Sequence, residues 1–194
     1  MASFHDGLAP FFCCRFSCAA KPSIPGKRKH MNTRNQNTQT TRTLTRGAII
    51  AALYAALTLL LAPISYGEMQ IRLSEAMTLL PVILPEAVPA LAIGCLLSNI
   101  LGGCTIFDIV FGTLATFLAA VCTRRLRAHL IPASLMPVLF NGLIVGAVVH
   151  YCYAPVMPLA LCMLFVAAGE TVSCCLLGPM LLRIIRRLPG ELLE

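Results

Sequence analysis

Residues 158–182 read PLALCMLFVAAGETVSCCLLGPMLL, an uninterrupted apolar stretch with one ionisable side chain, Glu170, near its middle. An acid at bilayer depth costs about 2.5–3.5 kcal/mol on insertion scales, so by default it marks a site. The function class that follows is capture or passage of a small molecule within the membrane.

The rest of the chain supports a membrane setting. It is 58% hydrophobic and 12% charged, with a mean hydropathy of +0.82, whereas soluble domains carry ~25% charged residues. No ten-residue alternation of polarity of the transmembrane-barrel kind is visible, so the expected class is an all-α membrane protein. The net charge of +7 lies in clusters at 27–29, 42–46, 124–127 and 183–187. Each flanks an apolar segment, which is the positive-inside pattern. None is interleaved with aromatics as a nucleic-acid groove would be. The ten cysteines follow no C-x-x-C spacing. Cys95, Cys122, Cys162, Cys174 and Cys175 sit inside apolar runs, where cysteine acts as a small hydrophobe. With the four histidines scattered, no metal site is expected.

Residues 1–46 are polar and turn-rich and read as a disordered cytoplasmic tail; Met31 opens a more conventional leader, so translation is taken as possible from there. Beyond Arg46, six spans are expected, at 47–64, 73–84, 86–101, 106–122, 131–151 and 158–185, allowing for shortened and tilted helices. They form a six-helix transmembrane domain, 47–188, followed by a short cytoplasmic tail, 189–194. Arg124, Arg125 and Arg127 then lie inside, as do Arg183, Arg186 and Arg187, so both termini are cytoplasmic.

Five acids lie in or beside the spans. Thr105-x-x-Asp108 reads as a capping box, or as a site. Glu86, after Pro85, suits the first turn of a helix. Glu68 and Arg72 share the polar connection 65–72 with Tyr66 and Gln70, which is either a solvated loop with a weak ion pair or a lid. Glu75 follows Arg72 by three residues and shares its face if the helix starts early. Glu170 lies thirteen residues before Arg183, about 20 Å along a helix, which puts it slightly outward of the bilayer centre. Asn99 and Asn141, embedded in apolar segments, are helix-knitting amides or ligand contacts. In the first span Ala48, Ala52 and Ala56 form one small-residue stripe and Ala51 and Ala55 another, suited to a close helix contact within the chain or with a partner.

Absent motifs narrow the field further. There is no G-x-x-x-x-G-K-[ST] phosphate loop and no H-E-x-x-H pair, and the hydropathy shows no inverted repeat of the secondary-transporter kind. A chain that binds but cannot energise movement is expected to be a subunit rather than an enzyme.

Three strings, APISYGEMQIRLSEAMTLLP (62–81), PEAVPAL (85–91) and FDIVFGTLAT (107–116), closely resemble the QueT family, and the resemblance runs from about Arg42 to Leu188. It implies a substrate-binding component of an energy-coupling factor transporter for queuosine precursors, in a bacterial plasma membrane, needing no cofactor. Such components are six-helix bundles that bind a vitamin-like molecule near the outer face, under the loop joining helices one and two. They pair with a transmembrane scaffold subunit and two ATPase subunits. The family's scaffold contact is an alanine motif on helix one, which maps onto Ala48, Ala51, Ala52, Ala55 and Ala56. For a 7-deazaguanine ligand, Glu170 or Glu75 would read the ring's donor edge, Asn99 or Asn141 the remaining polar atoms, and Glu68 or Asp108 an aminomethyl cation. Tyr66 or Phe107 would stack on the ring, and Arg72 would close the lid. A component for another vitamin-like substrate, or a stand-alone proton-coupled carrier, are the competing readings.

Overall fold

The structure, a computed structural model, describes residues 33–65 and 72–187, and all regular structure among them is helical. The expectations for residues 1–32, for Tyr66 and Glu68, and for the carboxyl tail lie outside the described residues. Helix α1 (Thr33–Leu60) is continued by the short α2 (Ala62–Ser65). A 3-10 helix (Leu73–Val82) follows, then α3 (Ala87–Leu101). A π turn (Asp108–Gly112) leads into α4 (Thr113–Arg125). Helices α5 (Leu130–Phe140) and α6 (Gly146–Cys152) are joined through a second π turn, Asn141–Val145, and α7 (Leu159–Glu170) and α8 (Gly178–Ile185) through a third, Thr171–Leu177.

Three helical stretches, Thr38–Leu60, Leu130–Cys152 and Leu159–Ile185, are long and apolar enough to cross a membrane. Their outer faces carry large apolar side chains such as Leu53, Leu139, Leu164 and Leu176, as a lipid-facing surface requires.

Two expectations need correction. The tail was expected to be disordered up to residue 46, but α1 begins at Thr33. A span already nucleated extends by one hydrogen bond per residue, and Thr43 and Thr45 return their hydroxyls to the carbonyls of Gln39 and Thr41 at 3.0 and 2.9 Å. The second span is a 3-10 helix rather than an α-helix. Its rise of ~2.0 Å per residue makes ten residues reach about 20 Å instead of 15 Å, so this short segment crosses most of the bundle. Every residue from Ser74 to Val82 is buried. At the far end Arg124 of α4 donates to the carbonyls of Pro81 and Val82 at 2.9 and 3.3 Å, capping it.

Tight helix crossings fix the frame. A methyl group added at Gly94 of α3 would stand 2.9 Å from both the Ala51 carbonyl and Tyr54 Cβ of α1. One added at Gly146 would fall 2.6 Å from Met163 Cα. Ala51 and Ala55 therefore belong to the chain's own core, whereas Ala48, Ala52 and Ala56 face outward. Arg46 pairs with Glu86, at the start of α3, at 3.7 Å. Apolar clusters fill the remaining space, one built on Tyr54, Leu91 and Ala120, another on Val145, Val149, Cys162 and Val166.

Gly94→Ala should destabilise the detergent-solubilised protein by about 1–3 kcal/mol, the usual range for overpacking. Gly47→Ala, whose added methyl meets nothing nearer than 3.9 Å, should leave the unfolding temperature unchanged. Equal behaviour of the two in thermal unfolding would contradict the close crossing.

Candidate functional site

The residue ahead of the 3-10 helix is Arg72, and it is not in a solvated loop: it is 3% exposed, and its Nη2 lies 3.8 Å from Asp108 Oδ2. Asp108 opens the first π turn. Its amide donates to the Thr105 hydroxyl at 3.4 Å, which is one arm of the expected capping box. The carboxylate turns instead to Arg72 and to the Tyr153 hydroxyl, which donates to it at 3.4 Å. Tyr153 also accepts from the Thr105 amide at 3.1 Å. Arg72, Thr105 and Tyr153, from three separate parts of the chain, thus gather around Asp108.

Below that pair lie the two central acids. A 3-10 helix stacks side chains at i and i+3, so Glu75 projects on the side of Arg72. Glu75 Oε1 accepts hydrogen bonds from the Tyr54 hydroxyl of α1 and, at 3.3 Å, from Thr116 of α4. Glu170 closes α7 and leads into the third π turn; its Oε1 accepts from Asn141, the first residue of the second π turn, at 3.0 Å. The Cys174 thiol stands 3.4 Å from Glu170 Oε2 and 3.3 Å from the Glu75 carbonyl, so it links the two acids. Asn99 of α3 donates to the Asp108 carbonyl at 3.3 Å.

Six of the eight expected site residues, Arg72, Glu75, Asn99, Asp108, Asn141 and Glu170, are therefore buried in one connected polar network. The other two, Tyr66 and Glu68, fall outside the described residues. Phe107, expected to stack on a ligand, is 57% exposed and lies with Phe111 and Tyr151 on an outward groove. The aromatics in the network are Tyr54, fully buried, and the half-exposed Tyr153. Tyr54, Thr116, Cys95 and Cys174 were missed. Cys95 and Cys174 pack in apolar clusters as expected, and their sulfurs also face polar groups. Cys162 likewise lies in an apolar cluster.

A network of one guanidinium, three carboxyls, two amides and several hydroxyls, enclosed by helices with lipid-type outer faces, is chemistry for holding a polar molecule. A family model described as the QueT transporter matches residues 44–187. The chain belongs to the QueT transporter family. A curated relative, "Queuosine precursor transporter QueT" of Lactococcus lactis subsp. cremoris (strain MG1363), is 41% identical to this QueT-family chain over 71 residues. The match covers 36% of this chain and 41% of the relative, so the chain spans less than half of that relative's length. No solved structure matches. Family and apolar helices together support a multi-pass membrane protein of the QueT transporter family.

Cys104 lies beside the Asp108 carboxylate in the connection 102–107. Burial, then that negative charge, push its thiol up to about 11. Because the thiolate is the reactive form, alkylation of Cys104, followed by peptide mass mapping, should still be accelerating at pH 10. Asp108→Asn removes the carboxylate and should move the midpoint of the rate profile down. A wild-type plateau near pH 9 would contradict the placement.

Proposed function

We propose that this chain is the substrate-capture subunit of an energy-coupling factor importer in a bacterial plasma membrane. It forms a six-span bundle with both termini cytoplasmic, and it takes up a queuosine precursor of the 7-deazaguanine class at its outer face. One observation carries the substrate class. Glu75 Oε2, Asn99 Oδ1, Asp108 Oδ1 and Asn141 Oδ1 are buried and accept no hydrogen bond among the described residues. A dry, unsatisfied polar atom costs about 1–3 kcal/mol, so the molecule that fits here brings N–H groups. A 7-deazaguanine presents a ring N–H beside an exocyclic amine, a paired donor edge that suits a carboxylate. The printed name of the Lactococcus relative points the same way.

In this reading Glu170 and Glu75 take the donor edge, and Asn99 and Asn141 hold the remaining polar atoms. Asp108 or Glu68 balances the charge of an aminomethyl substituent. Tyr66 covers the ring, and Arg72 secures the lid through Asp108. With the Arg124 and Arg183 clusters facing the cytoplasm, the Arg72–Asp108 end faces out.

Energy comes from partners, since the chain has no nucleotide-binding motif. The exposed stripe Ala48, Ala52 and Ala56 supports docking of the transmembrane scaffold on α1. Beside it runs a groove of about 720 Å³ between α1 and α3, lined by Gly47, Ala48, Glu86 and Ala90. The linkage of Glu75 and Glu170 through Cys174 favours a second reading, a proton-coupled carrier that works alone. Ionophore-sensitive uptake by the isolated chain in vesicles would decide for it.

Calorimetry on the purified protein with guanine, riboflavin, and the 7-cyano and 7-aminomethyl deazaguanines tests the substrate. A deazaguanine should bind, and Glu170→Gln should weaken it about 10- to 100-fold, as expected for a hydrogen bond to a charged group. Binding lost in Glu75→Gln but retained in Glu170→Gln would move recognition to Glu75. Riboflavin binding without deazaguanine binding would move the chain to another vitamin.

Leucine at Ala52 and Ala56 should abolish co-purification with the scaffold and ATPases while leaving ligand affinity within a factor of about three. Intact assembly in that variant would remove the stripe from the interface.

A further inference from the structure

We propose that Cys95 is the positioning residue of this site, acting as a hydrogen-bond acceptor that holds its two halves in register; for its ligand readout this rests on the function proposed above. Cys95 is fully buried on α3. Three donors from three directions converge on its sulfur. The Thr116 hydroxyl of α4 lies at 3.4 Å, the Asn99 amide at 3.6 Å, and Arg72 Nη1 at 4.0 Å.

Each of these donors also serves an acid or its backbone. Arg72 faces the Asp108 carboxylate, Asn99 donates to the Asp108 carbonyl, and Thr116 donates to Glu75 Oε1. The sulfur therefore sits where the Arg72–Asp108 half of the network meets the Glu75–Tyr54 half. Thr116 has one proton and two acceptors, Cys95 Sγ and Glu75 Oε1, so sulfur and carboxylate compete for it. The polarizable sulfur suits the position, because it accepts at the long distances seen here and draws little on each donor. An oxygen in its place preserves the acceptor with a shorter reach, whereas a methyl group preserves volume and abolishes the acceptor.

That contrast separates positioning from packing. Valine fills the space without accepting; serine accepts without filling it. If Cys95 positions the donors, Cys95→Ser should bind 7-aminomethyl- or 7-cyano-7-deazaguanine within about threefold of wild type in calorimetry. Cys95→Val should lose at least tenfold in affinity. Thermal unfolding of the ligand-free proteins should give the same order, with serine close to wild type and valine below it, because valine removes the acceptor on which the three donors converge. Packing alone reverses that order. Valine binding and unfolding like wild type, or serine falling as far as valine, would overturn the proposal. If wild type binds neither deazaguanine, the proposed substrate class fails. The unfolding order of the two variants then still decides the role of Cys95.

Discussion

An ion pair sealed inside the bundle, Arg72 with Asp108, is the constraint on which the rest of the structure depends. A guanidinium taken out of water is tolerated only with a close counter-charge and further hydrogen-bond acceptors. Here the counter-charge comes from a π turn two segments later in the chain, and a sulfur is among the further acceptors. The pair ties the start of the 3-10 helix to the segment that leads into α4. Tyr153 adds the connection between α6 and α7 to the same carboxylate. Remove the charge on either partner and the closest opposite charge is lost inside the bundle, so this contact bears on how that end is closed.

The close crossing of α1 over α3 is what lets the pair serve a site. Because Gly94 has no side chain, the α1 backbone comes near enough for Tyr54 to reach Glu75 across the 3-10 helix. Glu75 in turn meets Thr116 of α4, and its backbone carbonyl meets Cys174 of the third π turn. Three other segments of the chain thus converge on one residue of the 3-10 helix. That helix is gripped by an arginine at both ends, Arg72 above and Arg124 below.

Much of this was legible in the sequence, for a plain reason. A charged or amide side chain within an apolar run stands out against its surroundings, so Glu170, Glu75, Arg72, Asn99, Asn141 and Asp108 could be singled out one by one. What the sequence hid were partners with no such contrast. Tyr54, Thr116, Cys95 and Cys174 look like ordinary span residues until geometry puts a carboxylate or an amide against them. Phe107 misled because an aromatic beside Asp108 is near the site in sequence yet turns outward in space. The 3-10 helix was unreadable because all of its residues from Ser74 to Val82 are buried. Without a polar face there is no period to distinguish three residues per turn from 3.6. The reach of α1 back to Thr33 was hidden by threonines and amides that read as unfolded and yet continue a helix once the span has started it.

The three π turns carry a consequence for how such a gene can change. A π turn is an α-helix with one residue too many, and here each begins at or just after an acid or amide of the network: Asp108, Asn141 and Glu170. An in-frame loss of three nucleotides within any of them would restore an unbroken α-helix and leave the hydropathy of the span almost untouched. Because the wide turn absorbs the extra residue, the two halves of the helix would keep their register, and the side chains within the turn, the carboxylate or amide at its start among them, would be displaced. Codon number in these stretches is therefore under a constraint that residue type does not reveal, and a relative one residue shorter at such a point would keep its apolar helices while breaking the polar network between them.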